Sequence, residues 1–568
     1  MSCIGKLFTS CLNTRLSNYL NQSDTLNECQ AGFRNGYATL DHIFVLNSIV
    51  DLYLHRKKRV YAAFVDYTKA FDLIERTALW RKLLNSNING KILRVIYNMY
   101  ANAKSCIRSG HNLSDFFTCA RGVRQGENLS PLLFAIYLND FEEFLSEKYT
   151  GLEMLATEIR NNVNDGEIGV YVKLFTLLYA DDTVILAETE AELQKALDSL
   201  EEYCLLWGLT VNLDKTKIII FSRGKVRNYR QFRFAGEDIE VVADYVYLGI
   251  RFNYNNSFSK AVEKQLVLAK KAMFSMLSKV AKLDLPVDIQ LGLYDQLVVP
   301  VLLYGCEIWG CNNLSGLELF QRKFLKNLLQ VSKYTANCII YGETGRHELE
   351  TTISLRMINF WYSIKFGKNS KLSHIIFRHL ESLFNNNTFK SKWCNKIKTI
   401  LDNVGLSYYW TTNNVNLNRM TSRLQEKLSD ANLQNWSAKT ESSSLCVNYK
   451  MFKTQFGFEY YLKTLSKDLR IIYSKFRCGS HNLPISNARY REIDSRNDCT
   501  LCHLDTGDEF HYLFKCPAFG HMRAKFIKPF YYKRPNCSKY SILMETCNKK
   551  QLINLCKFIK NILYVFRP

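Results

Sequence analysis

Apolar positions recur along this chain with two different periods. Ile4, Leu7, Cys11 and Leu12 follow helical spacing, and so do Leu40, Ile43, Leu46 and Ile49–Val50. Residues 1–55 therefore read as helix, interrupted by the polar turn Asn21–Asp24 and by Gln30-Ala-Gly-Phe-Arg34. Val60–Val65 is a β-rich apolar run ending at Asp66, which predicts a strand. Helices are expected over 69–85 and 91–100. Ser105–Arg108 and Phe116–Cys119 predict a strand pair turning at Ser109-Gly110-His111. Leu129–Leu145 reads as a buried helix and the polar residues 150–168 as a surface loop. Lys173–Leu178 and Thr183–Ala187 are β-rich and flank Tyr179-Ala-Asp-Asp182. An amphipathic helix is expected over Glu190–Trp207, a strand over Lys217–Phe221, and a strand pair or turn over Val241–Arg251. From Ser259 to Leu283 a long helix places Val262, Leu266, Ala269, Met273, Leu277 and Val280 on one face. Lys264, Lys271, Lys279 and Lys282 fall mostly on another. Residues 285–345 continue helical, and 350–470 mix helix with Asn/Ser-rich loops.

Composition narrows the class. The 568 residues are 47% hydrophobic and 23% charged, which excludes wholesale disorder and is enough for several domains. Only 8 prolines occur, so Pro-rich linkers are excluded. Residues 1–260 carry 30 Lys+Arg and 30 Asp+Glu, leaving 45 basic and 23 acidic residues in 261–568. The whole net charge of +22 thus belongs to the C-terminal half and points to a polyanion, most simply nucleic acid. The bland alternative is a solvated basic surface. No run approaches the 18 or so apolar residues of a membrane span, and no secretory leader is visible. The 18 scattered cysteines then read as reduced thiols of an intracellular, non-secreted protein, nuclear or cytoplasmic. His55-Arg-Lys-Lys-Arg59 fits a nuclear signal, but the strand that follows favours a turn rim.

Asp66 ends an apolar strand, and Asp181 and Asp182 sit in a two-residue turn between two more. Carboxylates at buried strand ends are costly unless a cation compensates them. Three on adjacent strand ends could hold two divalent ions, an arrangement suited to in-line phosphoryl transfer. Mg²⁺ fits oxygen ligands and substrate phosphates. The competing view is that Asp-Asp is an ordinary hairpin turn.

Five segments occur in order: Phe64-Val-Asp-Tyr-Thr-Lys-Ala-Phe-Asp72, Gly122-Val-Arg-Gln-Gly-Glu-Asn-Leu-Ser-Pro131, Tyr179-Ala-Asp-Asp182, Gly208-Leu-Thr-Val-Asn-Leu-Asp-Lys-Thr-Lys217 and Tyr247-Leu-Gly249. Together they resemble the palm of a reverse transcriptase of a non-LTR (LINE-type, jockey/CR1-like) retrotransposon, over about residues 1–345. The resemblance implies an α+β right-hand polymerase (fingers, palm, thumb) with an antiparallel palm sheet, a helical region and a small zinc-binding tail. It implies that Asp66, Asp181 and Asp182 ligate two Mg²⁺ ions. Phe71 would be the steric gate against a 2′-OH, and Gln125 and Gly126 would line the incoming dNTP. Arg34 would reach the triphosphate from the fingers, and Lys215 or Lys217 would meet the leaving pyrophosphate. Tyr247, Leu248 and Gly249 would form the primer grip. The lysines of the helix beginning at Ser259 would track backbone phosphates as a thumb element. For each of these residues a structural role is the alternative: core aromatic, salt bridge, plain turn or solvated face.

Cys499-x2-Cys502-x8-His511-x4-Cys516 has the ligand types and spacing of a tetrahedral Zn²⁺ site. His503 is a rival ligand, and coincidence in a Cys-rich chain is the alternative. In a small segment with little core, the metal would supply much of the folding energy. The cluster resembles the CCHC knuckle of LINE-type proteins. Its neighbours Tyr490, Arg491, Tyr512, Phe514, Lys515, Arg523 and Lys525 suit single-stranded RNA or DNA. The resulting domain reading is partial fingers 1–59, palm 60–255, thumb 256–350, helical linker 351–470 and zinc-knuckle region 471–568. Upstream fingers strands and an N-terminal endonuclease, usual in the family, are not seen, so a truncated element is expected. The function implied is RNA-directed DNA polymerase, with RNA template, DNA primer or target and dNTPs as partners and no membrane. A nucleic-acid-binding remnant is the second reading and a group II intron maturase the third.

Overall fold

The computed structural model describes residues 3–101, 103–154, 172–412, 415–486 and 498–566. Most of the stretch expected as a surface loop at 150–168, and Tyr490 and Arg491, lie outside the described residues. Packing gathers the chain into two compact units. The first comprises Met1–Ala261 with Trp361–Asn395, the second Val262–Phe360 with Lys396–Pro568. Residues 361–395, expected in a linker, thus belong to the first unit.

In the first unit, α1 (Cys3–Gln22) and α2 (Thr39–His55) precede β1 (Val60–Val65). Then come α3 (Arg76–Asn85), α4 (Gly90–Ala101), α5 (Ser130–Tyr137) and α6 (Phe141–Ser146). β2 (Thr176–Tyr179) and β3 (Asp182–Ala187) form a hairpin, followed by α7 (Glu190–Trp207) and β4 (Lys217–Phe221). β5 (Asp244–Tyr247) and β6 (Ile250–Asn253) form a second hairpin.

The central sheet is antiparallel with order β4-β1-β3-β2. All six residues of β1 are buried, because both faces of the sheet are covered. Side chains alternate between faces. Ala63, Val65, Ile185, Ala187, Ile218 and Ile220 share one core with Leu133, Phe134, Leu197 and Leu200 of α5 and α7. On the opposite face Phe64 stacks on Tyr245, with ring centroids 4.7 Å apart.

Local sequence explains α7 fully. Thr189 caps it by accepting from the Glu192 N–H at 3.1 Å, and Gly208 ends it at φ +66°. Elsewhere tertiary contacts override helical periodicity. The helix expected from 69 begins only at Arg76. Asp66–Thr68 instead pairs with Thr210–Asn212, and Lys69 turns the chain at φ +47°. The helix expected over 129–145 breaks at Leu138–Asp140 into α5 and α6. The single strand pair expected near 105–119 is two short ladders, Lys104–Ser105 with Phe117–Thr118 and Arg108–Ser109 with Asn112–Leu113. The basic run at 56–59 forms the turn between α2 and β1.

The regular elements of the second unit are all helices among its described residues, the longest being Leu417–Ser442. Its interior holds Arg477, fully buried, which donates to Glu343 at 2.8 and 2.9 Å and lies 3.1 Å from Glu459. Removing either partner of such a buried pair strands the other charge, a cost of about 3–5 kcal/mol. No helix among the described residues is long and apolar enough to cross a membrane.

Candidate functional site

Register brings the three predicted carboxylates together. Val65 pairs with Thr183, so Asp66, the next residue, lies at the level of Asp182 on the neighbouring strand. Tyr179 pairs with Asp182, leaving Ala180 and Asp181 as the two-residue turn. Ala180 adopts φ +59°, a left-handed value at the first turn position that suits glycine better than alanine. Burial first, then the charges of Asp181 and Asp66, push the Asp182 carboxyl up to about 6, with Lys215 opposing. Oδ2 of Asp66 is buried and accepts no hydrogen bond, although Lys215 Nζ lies 3.3 Å away. A cluster of acids with an orphaned buried oxygen has the character of a divalent-cation site.

Lys215 and Lys217 separate clearly. Lys215 is exposed and faces Asp66. Lys217 opens β4 and pairs with Glu240 at 3.2 Å.

Phe71, Gln125 and Gly126 come together through a loop-on-loop contact. The Val123 N–H donates to the Phe71 carbonyl and the Gly122 N–H to that of Ile74, both at 2.8 Å. Gln125 Nε2 donates to both Asp72 carboxylate oxygens, at 2.9 and 3.0 Å. Gly122, at φ +78°, sits so close that a Cβ would lie 2.5 Å from the Asp72 carbonyl oxygen. Phe71 packs its ring 4.8 Å from Phe134, while Gln125 and Gly126 are exposed. Behind the loop, Arg76 donates to the carbonyls of Tyr100, Cys119, Arg121 and Gly122. Nothing in the sequence singles out Arg76.

Arg34 is placed otherwise than a triphosphate contact requires. It is buried and donates to the carbonyls of Asn27 and Gln30 and to Glu28, stacking 4.2 Å over Tyr37. Its guanidinium therefore braces its own loop. That loop touches the carboxylates by a different residue. Ala31 N–H donates to the Leu178 carbonyl and Leu178 N–H to that of Cys29, laying the segment along β2. A Cβ on Gly32 would meet the Ala180 amide nitrogen at 2.3 Å. Nothing in Gln30-Ala-Gly-Phe-Arg34 singles out Gly32.

Tyr247 ends β5 and is buried, its hydroxyl 3.5 Å from His42 Nδ1. Leu248 and Gly249 make the turn at φ +45° and +83°. Within the same hairpin, half-buried Tyr245 feels the carboxylates: burial, then Asp182 and Asp66, push its phenol up to about 12. Nothing in the sequence singles out Tyr245.

In the second unit Cys499, Cys502, His511 and Cys516 converge, with ligand atoms all within 4.8 Å of one another. Cys499 Sγ lies 3.8 Å from Cys516 Sγ, and Cys502 Sγ 3.3 Å from His511 Nε2. Such a set could hold a metal ion. His503 stands outside it. The segment has more core than the spacing suggests. Tyr512, Phe514 and Arg523, expected to meet nucleic acid, are buried. Phe514 meets Tyr540, Phe519 meets Phe558, and Arg523 donates to the carbonyls of Tyr512, Leu513 and Cys516.

Residues 1–252 match the family model described as reverse transcriptase (RNA-dependent DNA polymerase). The chain is 22% identical over 367 residues to the probable RNA-directed DNA polymerase from transposon BS of Drosophila melanogaster, covering 62% of this chain and 38% of that protein. It is 22% identical over 340 residues to the RNA-directed DNA polymerase from mobile element jockey of Drosophila funebris, covering 57% and 34%. Against the R2DM element polyprotein of Drosophila melanogaster it is 28% identical over 208 residues, covering 36% and 18%. The chain thus spans at most 38% of these three relatives. Among solved structures, a telomerase from Candida tropicalis aligns with a TM-score of 0.33 at 13% identity, over 72% of this chain and 56% of that one.

Proposed function

From the premise that residues 1–252 are a reverse transcriptase domain of the non-LTR retrotransposon kind, we propose that the chain is an RNA-directed DNA polymerase. It would add dNTPs to a primer 3′-OH on an RNA template, in a right-hand fold whose palm is the β4-β1-β3-β2 sheet. The carrying observation is the junction of Asp66, Asp181 and Asp182 at one end of that sheet.

Asp66, Asp181 and Asp182 fit two Mg²⁺ ions, which when bound supply positive charge for the attacking and leaving oxygens of an in-line displacement. Every other part falls to the protein. Ala180 holds the two turn carboxylates in place through its strained backbone, and Gly32 supports it. Phe71 and Gln125, locked by Asp72 and Gly122, form the seat for the deoxynucleotide, with Phe71 excluding a 2′-OH. Exposed Gly126 leaves its backbone open to the substrate. Lys215, the flexible cation beside Asp66, is the residue that meets the departing pyrophosphate; Lys217 is held by Glu240. The Tyr247–Gly249 turn supports the primer end. Arg34 serves as the brace of the Gly32 loop.

The Cys/His cluster fits one structural Zn²⁺. A tetrahedron drawn with Zn–S bonds of about 2.3 Å has an edge of about 3.8 Å, and Cys499 and Cys516 stand at that separation.

The test is primer extension by the purified chain on an RNA template with dNTPs and Mg²⁺. Extension that disappears in Asp181→Asn/Asp182→Asn is the expected result. Template binding without extension in the unaltered chain would instead support the nucleic-acid-binding remnant.

A further inference from the structure

Residues 1–260 are neutral in sum, yet their cations are unevenly placed. At the end of the sheet where β1 begins and β4 ends, Val60 pairs with Phe221. The turn entering β1, Lys57-Lys-Arg59, therefore lies beside the turn leaving β4, Arg223-Gly-Lys-Val-Arg227. Together they wall an open cleft of about 600 Å³.

Six cations line it, and their partners are informative. Arg223 donates to the carbonyls of Leu54 and His55, closing the C-terminal end of α2. Lys58 lies 3.6 Å from Glu188. Glu188 and Glu190, the acids bordering the cleft, also accept from the Tyr53 hydroxyl and from the Arg230 N–H. Lys57, Arg59, Lys225 and Arg227 are exposed, and no ion pair engages them among the described residues.

Lys57 adds a second observation. α2 ends with the Lys58 N–H donating to the Tyr53 carbonyl and the Lys57 N–H to that of Leu54. This pair of bonds places Lys57 at the left-handed position, φ +60°, that glycine usually fills. The side chain at this position is exposed and lines the cleft, where a glycine would add no charge.

We propose that this cleft is a second nucleic-acid site, which grips the sugar–phosphate backbone of one strand away from the carboxylate centre. Val60 and Asp66 are six residues apart on one extended strand, about 20 Å, so a phosphate held here is not one reacting there. Arg and Lys on two facing turns suit phosphate oxygens, and binding of this kind carries no base specificity. The inference rests on the nucleic-acid reading of the chain, but not on catalysis.

The test uses the whole chain with Lys57→Gln, Arg59→Gln, Lys225→Gln and Arg227→Gln together. Binding of an oligouridine RNA and of its DNA counterpart is measured by fluorescence anisotropy across a KCl series. Each phosphate contact on a single strand contributes about −0.7 to the slope of log K against log salt. The variant's slope should be shallower by about 2 to 3, with affinity at physiological salt down at least about tenfold. Equal losses on RNA and DNA identify the phosphates as the ligand, and loss on RNA alone identifies an RNA strand. In the unaltered chain, bound RNA should also protect Lys57 and Lys225 from amine acetylation, a readout independent of how the variant folds. Unchanged slope with no protection overturns the proposal, as does a loss confined to binding of a nuclear-import carrier protein. Extension on a short primer–template at saturating concentration should stay within about twofold. No extension by either protein, with the slope change intact, sinks the polymerase reading and leaves this site standing.

Discussion

A single added methyl group would press on the Ala180–Asp181 turn. Gly32 offers no room beside Ala180: the clash of an added Cβ is with backbone nitrogen, at 2.3 Å. Gly32→Ala should therefore shift the Asp181–Asp182 turn, and misplacement of reacting groups by about 1 Å costs on the order of 100-fold in rate. Primer extension should fall by that order, and adding Ala180→Gly should not restore it, because the obstructing atom remains. A rescue would show that side-chain strain rather than backbone contact sets the turn. His42 makes a different residue-scale prediction. Burial first, then the cations Lys371 and Arg34, lower its imidazole from the ordinary 6.5 to about 3. The unfolded chain thus takes up a proton near pH 6.5 that the folded chain refuses. The stability involved is fully present above pH 6.5 and is lost progressively as pH falls toward 3, up to a few kcal/mol in all. Denaturant melts followed on the first unit should show this slope, and His42→Gln should flatten it. An identical pH profile in the variant would refute the assignment. Asp66, Asp181 and Asp182 stand out in the sequence at apolar strand ends, but that pattern also fits a plain hairpin turn, and their candidacy came from the ordered motifs around them. Gly32, Tyr245 and the true posture of Arg34 were not legible there, because each depends on a partner distant in the chain.

The loops that carry Phe71 and Gln125 are joined by backbone hydrogen bonds and by the side chains of Gln125 and Arg76. The bounds of β1, β4 and α7 follow from local signals: an unbroken apolar run, a short β-branched run, and a Thr cap with a terminal glycine. The stretch from Tyr67 to Glu75 did not, since it holds no regular element of its own and is shaped by Thr210–Asn212 on one side and Gly122–Val123 on the other. Arg76 fixes that second side, with donors on four carbonyls. Arg76→Ala removes them all, and hydrogen bonds from a charged donor are worth about 1.5–3 kcal/mol. The loop bearing Gln125 should loosen, raising KM for dNTP by about tenfold or more. Affinity for the RNA template should hold. Steady-state kinetics with dNTP varied at saturating template separates the two; a fall in template affinity with unchanged KM for dNTP would place Arg76 elsewhere in the mechanism.

At the scale of the molecule, charge and metal chemistry divide between the two units. The three clustered carboxylates lie in the neutral stretch 1–260, and the excess of basic residues lies in 261–568, which supplies the second unit and residues 361–395 of the first. That asymmetry was readable from composition. The standing of the Cys/His segment was not, because its apolar partners come from residues 540–566, after the motif. A short finger with little core unfolds when its metal is withdrawn. Here Tyr512, Leu513 and Phe514 are buried, Phe514 and Phe519 pack on Tyr540 and Phe558, and Arg523 ties the ligand-bearing turn together. A metal held there would therefore add to an existing core instead of replacing one. Chelation, or Cys499→Ser, should lower the melting temperature of the second unit by several degrees without abolishing its helical signal, about 1 kcal/mol per 2–4 °C for a unit of this size. Added Zn²⁺ should reverse the effect of the chelator and leave the Ser variant unmoved. Complete loss of helix on chelation would show that the aromatic packing depends on the metal. A melting curve indifferent to chelator, substitution and Zn²⁺ alike would show that these four side chains hold no structural ion.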